Sequence, residues 1–158
     1  MKTLARFHRE VAEIAAQYPE SRSAVMPALR LAQEHHGGWL PPEAFRDVAD
    51  ALDLTPAYVK GVATFYDMFH LEAVGRRLVE VCTNICCGLR GAQDVLRAFE
   101  RELGIEPGET TDDGEFTLTT IECAGGCGWG TVVALDWRYK ERITADDVPR
   151  ILEEARNG

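Results

Sequence analysis

The stretch RRLVEVCTNICCGLRGAQDVLRAFERELG, residues 76–104, predicts how the second half of the chain is built. In its first part, RRLVEVC, the hydropathy of the side chains alternates, and the residues are of types that favour strands. Its last part, from Leu89 to Gly104, repeats apolar side chains at helical spacing and ends at a glycine, which favours a helix end there. Three of the chain's five cysteines lie in this stretch, one at the end of the first pattern and two between the patterns. The segment is therefore predicted as a strand, a cysteine-bearing loop and an amphipathic helix.

Further strands and a closing helix are predicted after Gly104. EFTLTTIEC (115–123) is a strand by composition, TVVALDW (131–137) is a third strand, and RYKERIT (138–144) is a candidate fourth. The tail TADDVPRILEEARNG (144–158) is predicted as a helix whose start is delayed past Thr144 by Pro149. The predicted order is β-α-β-β-β-α.

The first half of the chain has helical periodicity instead. Four short helices are predicted between Leu4 and Tyr66, with a stop at Gly37-Gly38, a start at Pro41-Pro42, and Thr55 as the N-cap of the last helix. The fold class expected is α/β, with a small N-terminal helical bundle over residues 1–72 and an α/β domain over residues 73–158.

Composition and charge restrict the classes of partner. The 158 residues carry a formal net charge of −9, which argues against nucleic acid and favours solubility and partners with basic patches. The N-terminus lacks the apolar run of a signal peptide, and no run approaches the length of a membrane span. A cytoplasmic protein without direct membrane insertion is expected. In a reducing compartment, close cysteine pairs favour metal or redox chemistry over disulfides.

Four cysteines are predicted to converge. A strand–helix–strand crossover is parallel and right-handed, so both strands end at one edge of the sheet. Cys82 and Cys87 follow the first strand, and Cys123 and Cys127 follow the second.

Their spacing is compatible with three chemistries. A [2Fe–2S] cluster takes four thiolates from loops as wide as C-x4-C, and C-x4-C followed by C-x3-C fits it best. A structural zinc commonly uses pairs with a two-residue gap, and a redox dithiol uses C-x-x-C; neither spacing is present, yet both interpretations stay open. The glycines of CAGGCGWG (123–130) favour the cluster, because they permit positive φ and let backbone N–H groups approach sulfur.

At these residues the chain resembles a known family. The motifs VCTN.CC.LRGA (81–92) and ECAGGC (122–127), with the upstream GGWLPPEAF (37–45) and VATFYDMF (62–69), are similar to the thioredoxin-like [2Fe–2S] subunit of respiratory complex I. The same family supplies the small iron–sulfur subunits of NAD-dependent formate dehydrogenases and hydrogenases. The resemblance implies a thioredoxin-like [2Fe–2S] ferredoxin domain behind the helical region. It also implies a partner flavoprotein that carries FMN, NADH and a [4Fe–4S] cluster, together with larger iron–sulfur subunits of the complex.

Carried onto this sequence, the resemblance makes Cys82, Cys87, Cys123 and Cys127 the ligands of one [2Fe–2S] cluster and Cys86 a bystander. The pair Cys82 and Cys86 stays open as an alternative. The chain departs from the family at Thr131, where a proline that shapes the loop usually stands. Function is expected to be electron exchange with the partner's FMN in NADH:quinone oxidoreductase, with no catalytic residue and no nucleotide-binding loop of this chain's own. The rivals are the formate dehydrogenase or hydrogenase subunit, a zinc-stabilised adaptor without electron transfer, and a thiol oxidoreductase.

Two side chains near the cysteines have open roles at this stage. Arg90 is a candidate for offsetting the negative charge of a cluster, or is an ordinary surface residue. Trp129, two residues after Cys127, is a candidate for shielding a cluster or contacting a partner, with loop packing as the alternative.

Overall fold

The structure is a computed structural model that describes residues 4–157. The chain divides into two compact units, the first ending at Ala73 and the second beginning at Val74. Each unit has a hydrophobic core of its own. The division into folding domains at residues 72 and 73 stays a prediction, because compactness alone does not show that either part folds without the other.

The described part of the first unit is helical. Four helices with a short 3₁₀ turn before the second make up its regular structure, as the periodicity predicts. Their bounds are Leu4–Ala15 (α1), Ser21–Ala24 (the 3₁₀ turn), Val25–His35 (α2), Pro42–Leu52 (α3) and Pro56–Ala63 (α4).

Local chemistry sets the ends of these helices. Thr55 caps α4, with its hydroxyl accepting a hydrogen bond from the Tyr58 N–H at 3.3 Å, and Pro56 occupies the first helical position. The side-chain amide of Gln33, which is buried, donates to the Met68 carbonyl at 3.1 Å and accepts from the His70 N–H at 2.8 Å. The chain after α4 is thereby fixed to α2 within the same unit.

The second unit is a mixed sheet with helices. Its regular elements are Arg77–Cys82 (β1), Ile85–Gly88 (α5), Ala92–Leu103 (α6), Phe116–Ile121 (β2), Val133–Leu135 (β3), Arg138–Lys140 (β4) and Val148–Asn157 (α7). Two 3₁₀ turns, Cys127–Trp129 and Ala145–Asp147, complete it.

The sheet topology confirms the predicted crossover. The strand order is β2-β1-β3-β4, in which β1 and β2 are parallel while the β1–β3 and β3–β4 pairs are antiparallel. Cys82, the last residue of β1, lies opposite Ile121, the last residue of β2. Both chain segments that carry the cysteines therefore leave the sheet at the same edge.

An apolar core formed by alternate residues of the strands fixes this register. Alternate residues Val79 and Val81 of β1 join Phe116 and Leu118 of β2 in a cluster with buried residues of α6 and α7, among them Phe99. Because side chains alternate along a strand, a shift by one residue would move these side chains to the other face. Full burial of each contributes about 1.5–3 kcal/mol, so the register that positions Cys82 is strongly determined.

Several elements differ in detail from the prediction. The third strand spans Val133–Leu135 instead of residues 131–137, and the fourth spans Arg138–Lys140 instead of residues 138–144. The helix expected from Leu89 to Gly104 begins at Ala92, and the separate one-turn helix α5 precedes it. Gly104 ends α6 in a left-handed conformation (φ 71°), as a C-terminal glycine is expected to. Before α7, the Thr144 hydroxyl and N–H both hydrogen-bond the Asp147 carboxylate, and α7 starts at Val148 with Pro149 in its first turn.

Candidate metal centre

The two predicted cysteine pairs lie at one edge of the sheet. Cys82 ends β1 and Cys87 lies in α5, whereas Cys123 follows β2 after one residue and Cys127 opens a 3₁₀ turn. Hydrogen bonds continue the sheet to this edge, because the Cys82 N–H donates to the Val132 carbonyl at 3.0 Å. The Thr83 N–H likewise donates to the Ile121 carbonyl at 3.1 Å. Regular backbone structure thus positions the first loop.

All five thiols take part in one set of electrostatic interactions. The thiols of Cys87 and Cys123 act on the pKa of Cys82, and those of Cys123 and Cys86 act on the pKa of Cys127. The Sγ atoms of Cys123 and Cys127 lie 3.9 Å apart. The four predicted ligands therefore lie at one edge of the sheet, and the fifth cysteine is near them as well.

Burial separates the thiols into two classes. Cys82 and Cys87 are each 2% exposed, whereas Cys123 and Cys127 are exposed and Cys86 is intermediate. Successive residues of a helix point about 100° apart, which is why Cys86 and Cys87 of α5 differ in burial. The second pair thus forms the solvent-facing side of the site.

The environment changes the acidity of three thiols. Burial raises the pKa of Cys82, but hydrogen bonds from the backbone of Ala124 and Asn84 and from the neighbouring thiols outweigh it, so the net pKa is lowered. Burial also raises the pKa of Cys87, and the charge of Cys82 adds to the rise. The pKa of Cys127 is raised by its hydrogen bond to Cys123 and by the charges of Cys123 and Cys86. Opposing directions are expected where several thiols share one site, because an ionised thiol disfavours ionisation of its neighbours.

Glycines shape the second loop for two different reasons. Gly125 has φ 78°, a left-handed conformation that L side chains rarely adopt, and its N–H donates to the Cys123 Sγ at 3.4 Å. Gly130 has negative φ, but a Cβ there would lie 3.4 Å from the Cys87 Sγ and 3.3 Å from the Arg90 Cδ. The predicted approach of an N–H group to sulfur is confirmed at Gly125, whereas a Cβ at Gly130 would make an ordinary contact with the Cys87 sulfur and a tight one with the Arg90 side chain.

Thr131, at the position where the family usually has proline, makes a contact that proline lacks. Its side chain is buried, and its hydroxyl donates to the Arg90 carbonyl at 3.2 Å, with the Cys87 carbonyl at 3.5 Å. The Arg90 Nε donates back to the Gly130 carbonyl at 2.9 Å. The peptide bond between Gly130 and Thr131 is cis. Two hydrogen bonds therefore join the end of α5 to the chain that follows the second cysteine pair.

The donor set fits a [2Fe–2S] cluster. Such a cluster takes two thiolates on each of two irons. Two sulfurs on one tetrahedral metal with metal–sulfur bonds of about 2.3 Å lie about 3.8 Å apart, close to the 3.9 Å between Cys123 and Cys127. Among residues 4–157, no three His, Cys, Asp or Glu side chains are arranged to hold a single metal ion together. The relevant feature for a two-iron cluster is the pairing of thiols.

Comparison with known proteins adds the family. The family described as thioredoxin-like [2Fe-2S] ferredoxin matches residues 11–156. This chain belongs to that family. The resemblance found in the sequence motifs is thereby confirmed, and so is the fold class, a thioredoxin-like [2Fe–2S] ferredoxin fold preceded by helices. A [2Fe–2S] cluster is the cofactor that characterises the family.

Two family relatives are similar over nearly their whole length. The E subunit of the NADH-quinone oxidoreductase of Rickettsia conorii is 42% identical over 147 residues, which cover 92% of this chain and 88% of that protein. An E subunit of the NADH-quinone oxidoreductase of Rhizobium meliloti is 42% identical over 147 residues, which cover 93% of this chain and 87% of that protein.

A solved structure shows the same fold in a larger assembly. The air-oxidised NAD⁺-reducing [NiFe]-hydrogenase superposes with a TM-score of 0.70 at 19% identity, over 82% of this chain and 23% of the hydrogenase chain. At that identity the likeness concerns the fold alone. The chain spans about a quarter of the hydrogenase chain, so the activity of the whole hydrogenase is not carried over.

Sequence reasoning missed part of the site. The electrostatic interaction between Cys86 and Cys127, and the hydrogen bonds of Thr131 and Arg90, depend on how two loops approach each other. The departure at Thr131 was the available signal, since a polar side chain replacing a proline in a buried loop needs a hydrogen-bond partner. Arg90, a candidate for charge compensation, has its Nε bonded to a backbone carbonyl.

Proposed function

We propose that this chain is an electron-transfer subunit of an NADH:quinone oxidoreductase and carries one [2Fe–2S] cluster on Cys82, Cys87, Cys123 and Cys127. The observation that carries the proposal is the convergence of two thiol pairs at one sheet edge, in a chain 42% identical to an NADH-quinone oxidoreductase component over 92% of its length. When bound, the cluster supplies one-electron exchange. The four thiolates orient it at the edge of the second unit.

The difference in burial between the two cysteine pairs supports a proposal about the side from which a partner protein approaches. Cys82 and Cys87 are buried, so that side of the site is held within the unit, whereas Cys123 and Cys127 are exposed to solvent. Electron transfer requires the redox centres to approach closely. We therefore propose that the partner approaches from the side of Cys123 and Cys127.

Exposed apolar side chains border this face. Ile85 and Leu89 are 73% and 84% exposed and lie one turn apart at α5, where the Leu89 N–H bonds the Ile85 carbonyl. Trp129, 50% exposed, is in the 3₁₀ turn that packs against α5. Large apolar side chains grouped on a surface mark interaction sites more often than scattered ones do. We call Ile85, Leu89 and Trp129 the apolar rim and propose that the partner covers it.

The proposed partner is a flavoprotein that holds the FMN, the NADH site and a [4Fe–4S] cluster, with larger iron–sulfur subunits in the same complex. The names of the relatives, which include NADH and quinone, support this assignment. Among residues 4–157 no helix is long and apolar enough to cross a membrane. We propose a place in a peripheral arm on the cytoplasmic side of the membrane.

A low reduction potential follows from this proposal. A [2Fe–2S] core with four thiolates is already negative, and the chain around it has a net charge of −9. Coulomb repulsion opposes the added electron, and N–H donors such as Gly125 relieve it only in part. A midpoint of about −400 mV is expected in a redox titration followed by EPR, as for plant-type all-cysteine centres. A midpoint above zero would contradict all-cysteine ligation.

Electron exchange with a flavoprotein is tested directly by rapid mixing. The chain is reduced with dithionite, freed of excess reductant and mixed with the oxidised cognate flavoprotein without oxygen. The EPR signal of the reduced cluster should decay quickly only when the flavoprotein is present, and the chain alone should not oxidise NADH. Two further measurements accompany the mixing experiment. They are co-purification of the chain with the flavoprotein, and the NADH–ferricyanide activity of the flavoprotein with and without the chain. A signal that persists after mixing, or NADH oxidation by the isolated chain, contradicts the proposal.

The apolar rim has a matched control within the same unit. Ile85→Glu together with Leu89→Glu should weaken co-purification with the flavoprotein, because two charges would replace apolar contacts. Tyr139→Ala on the outer strand β4 removes a side chain that is 55% exposed and should leave association unchanged. Equal loss in both variants would contradict the assignment of the rim.

Iron analysis separates the proposal from its rivals. A zinc-stabilised adaptor would be colourless and contain zinc, whereas a cluster protein absorbs in the visible. A formate dehydrogenase or hydrogenase subunit would co-purify with the corresponding flavoprotein instead. The 42% identity to the NADH-quinone oxidoreductase relatives, which extends over more than nine tenths of this chain, favours the quinone-linked complex.

A further inference from the structure

The two adjacent cysteines of α5 compete for the same site. Cys87 interacts electrostatically with Cys82, and Cys86 with Cys127, so either thiol is near at least one proposed ligand. Proximity between thiols therefore does not by itself explain which of the two binds iron. Something outside the thiols must fix the rotation of α5 about its axis.

Hydrogen bonds from the second loop hold that rotation. The Thr131 hydroxyl donates to the Arg90 carbonyl at 3.2 Å and lies 3.5 Å from the Cys87 carbonyl. In the second bond the donor and acceptor segments are exchanged, because the Arg90 Nε donates to the Gly130 carbonyl at 2.9 Å. The two bonds form a reciprocal clamp between residue 90 and residues 130–131.

The clamp also brings the backbone against Cys87. Gly130 lies next to α5, since a Cβ there would be in van der Waals contact with the Cys87 Sγ and the Cys86 carbonyl oxygen, each 3.4 Å away. The Arg90 N–H in turn donates to the Cys87 carbonyl at 3.0 Å, which ties the clamp to the turn that carries Cys87. A rotation of α5 by one residue, about 100°, would present Cys86 in place of Cys87 and would move residue 90 away from Thr131.

We infer that Thr131 and Arg90 are positioning residues that select Cys87 over Cys86 as a cluster ligand. Neither residue touches the cluster in this inference; both act through α5. Thr131 is 1% exposed, so its hydroxyl needs a partner within the protein, and the carbonyl of residue 90 supplies it. The inference rests on the proposed function, since it concerns which thiols hold the cluster.

Removal of the hydroxyl should make the ligand choice less exclusive. Thr131→Val keeps the branched shape but cannot donate, and loss of one buried hydrogen bond shifts a two-state equilibrium about fivefold. The cluster of Thr131→Val should show two EPR species, and adding Cys86→Ala should return the spectrum to one. Thr131→Ser retains the hydroxyl and should show the single wild-type species.

A second measurement uses iron content instead of line shape. In the wild-type background, Cys87→Ala should bind little iron, because Cys86 is held away from its place. In the Thr131→Val background, the same Cys87→Ala change should retain about fivefold more iron, and further removal of Cys86 should abolish that gain. Arg90→Gln, with Arg90→Lys as its matched variant, tests the other bond of the clamp if Thr131→Val does not fold.

The outcomes distinguish the inference from the proposed function. If the wild-type chain holds no [2Fe–2S] cluster, the proposed function fails. If the wild type holds one, but Thr131→Val and Arg90→Gln both give a single wild-type EPR species that adding Cys86→Ala does not change, the positioning role is wrong and the proposed function stands. A gain of iron in the Cys87→Ala background that survives removal of Cys86 also overturns the positioning role.

Discussion

The helical unit that ends at Ala73 contains no cysteine, whereas the unit that begins at Val74 contains all five. The first unit buries apolar side chains from all four of its helices, and its buried polar group Gln33 is used to hold the chain after α4. In the second unit, the core beneath the sheet fixes the strands, and loops beyond one sheet edge carry the thiols. Stability and chemistry are thus combined in the second unit but not in the first, and this comparison can be tested by mutation.

The largest effect is expected from damage to the core of the second unit. Phe99 of α6 is fully buried against the sheet, so Phe99→Ala should reduce the free energy of unfolding by about 3–5 kcal/mol. Because the same core holds β1 and β2 in register, the cluster should be lost at the temperature at which the unit unfolds. Parallel melts followed by circular dichroism and by visible absorbance measure this.

The matched variant lies in the first unit. Leu29 of α2 is also fully buried, and Leu29→Ala should cost about 2–5 kcal/mol. Its circular dichroism should change at lower temperature while the visible spectrum of the cluster persists. Loss of both signals together in Leu29→Ala would show that the two units unfold as one and would remove the contrast between them.

A smaller effect distinguishes the two cysteine pairs inside the second unit. In the cluster-free chain, an alkylating reagent should modify Cys123 and Cys127 faster than Cys82 and Cys87, because the first two are exposed and the others are 2% exposed. Mass spectrometry of peptides sampled over time gives the order of modification. Equal rates for all four thiols would mean that the first loop opens freely in the absence of the cluster.

The smallest effect is expected at the start of α7. Hydrogen bonds from the Thr144 backbone and hydroxyl, and one from Arg150, lower the pKa of Asp147. A carboxyl with a depressed folded-state pKa stabilises the fold above its unfolded pKa, and this stabilisation is lost as pH falls through the folded pKa. Asp147→Asn should therefore lower the melting temperature slightly at neutral pH and make no difference at a pH below both values. A difference in melting temperature between Asp147→Asn and the wild type that stays constant from neutral to acidic pH would contradict the role of the Asp147 charge.

The sequence was sufficient for the elements with long, regular patterns. The alternation in β1, the helical period of α6 and the crossover rule together predict parallel strands and a common edge for the cysteines. These predictions succeed because each rests on burial of a repeated apolar face. The four N-terminal helices are predictable for the same reason.

Short, loop-based features are not predictable in this way. The helix α5 is one turn long, too short for a period to appear, so the predicted start of the next helix, at Leu89, precedes the observed start of α6 at Ala92. The interaction of Cys86 with Cys127 and the hydrogen bonds of Thr131 arise where two loops meet, and Thr131 and Arg90 are 41 positions apart in the sequence. No local pattern encodes such contacts. Which cysteines bind iron stays a prediction for the same reason.

The iron content of two adjacent variants tests that prediction most directly. Purified anaerobically, Cys86→Ala should hold about two irons per chain, the content of one [2Fe–2S] cluster, with the wild-type EPR spectrum. Cys87→Ala should bind little iron, because it removes the thiol that lies against Cys82. The reverse result, in which Cys86→Ala loses the iron and Cys87→Ala keeps it, would contradict the assignment of Cys82, Cys87, Cys123 and Cys127 as the ligands.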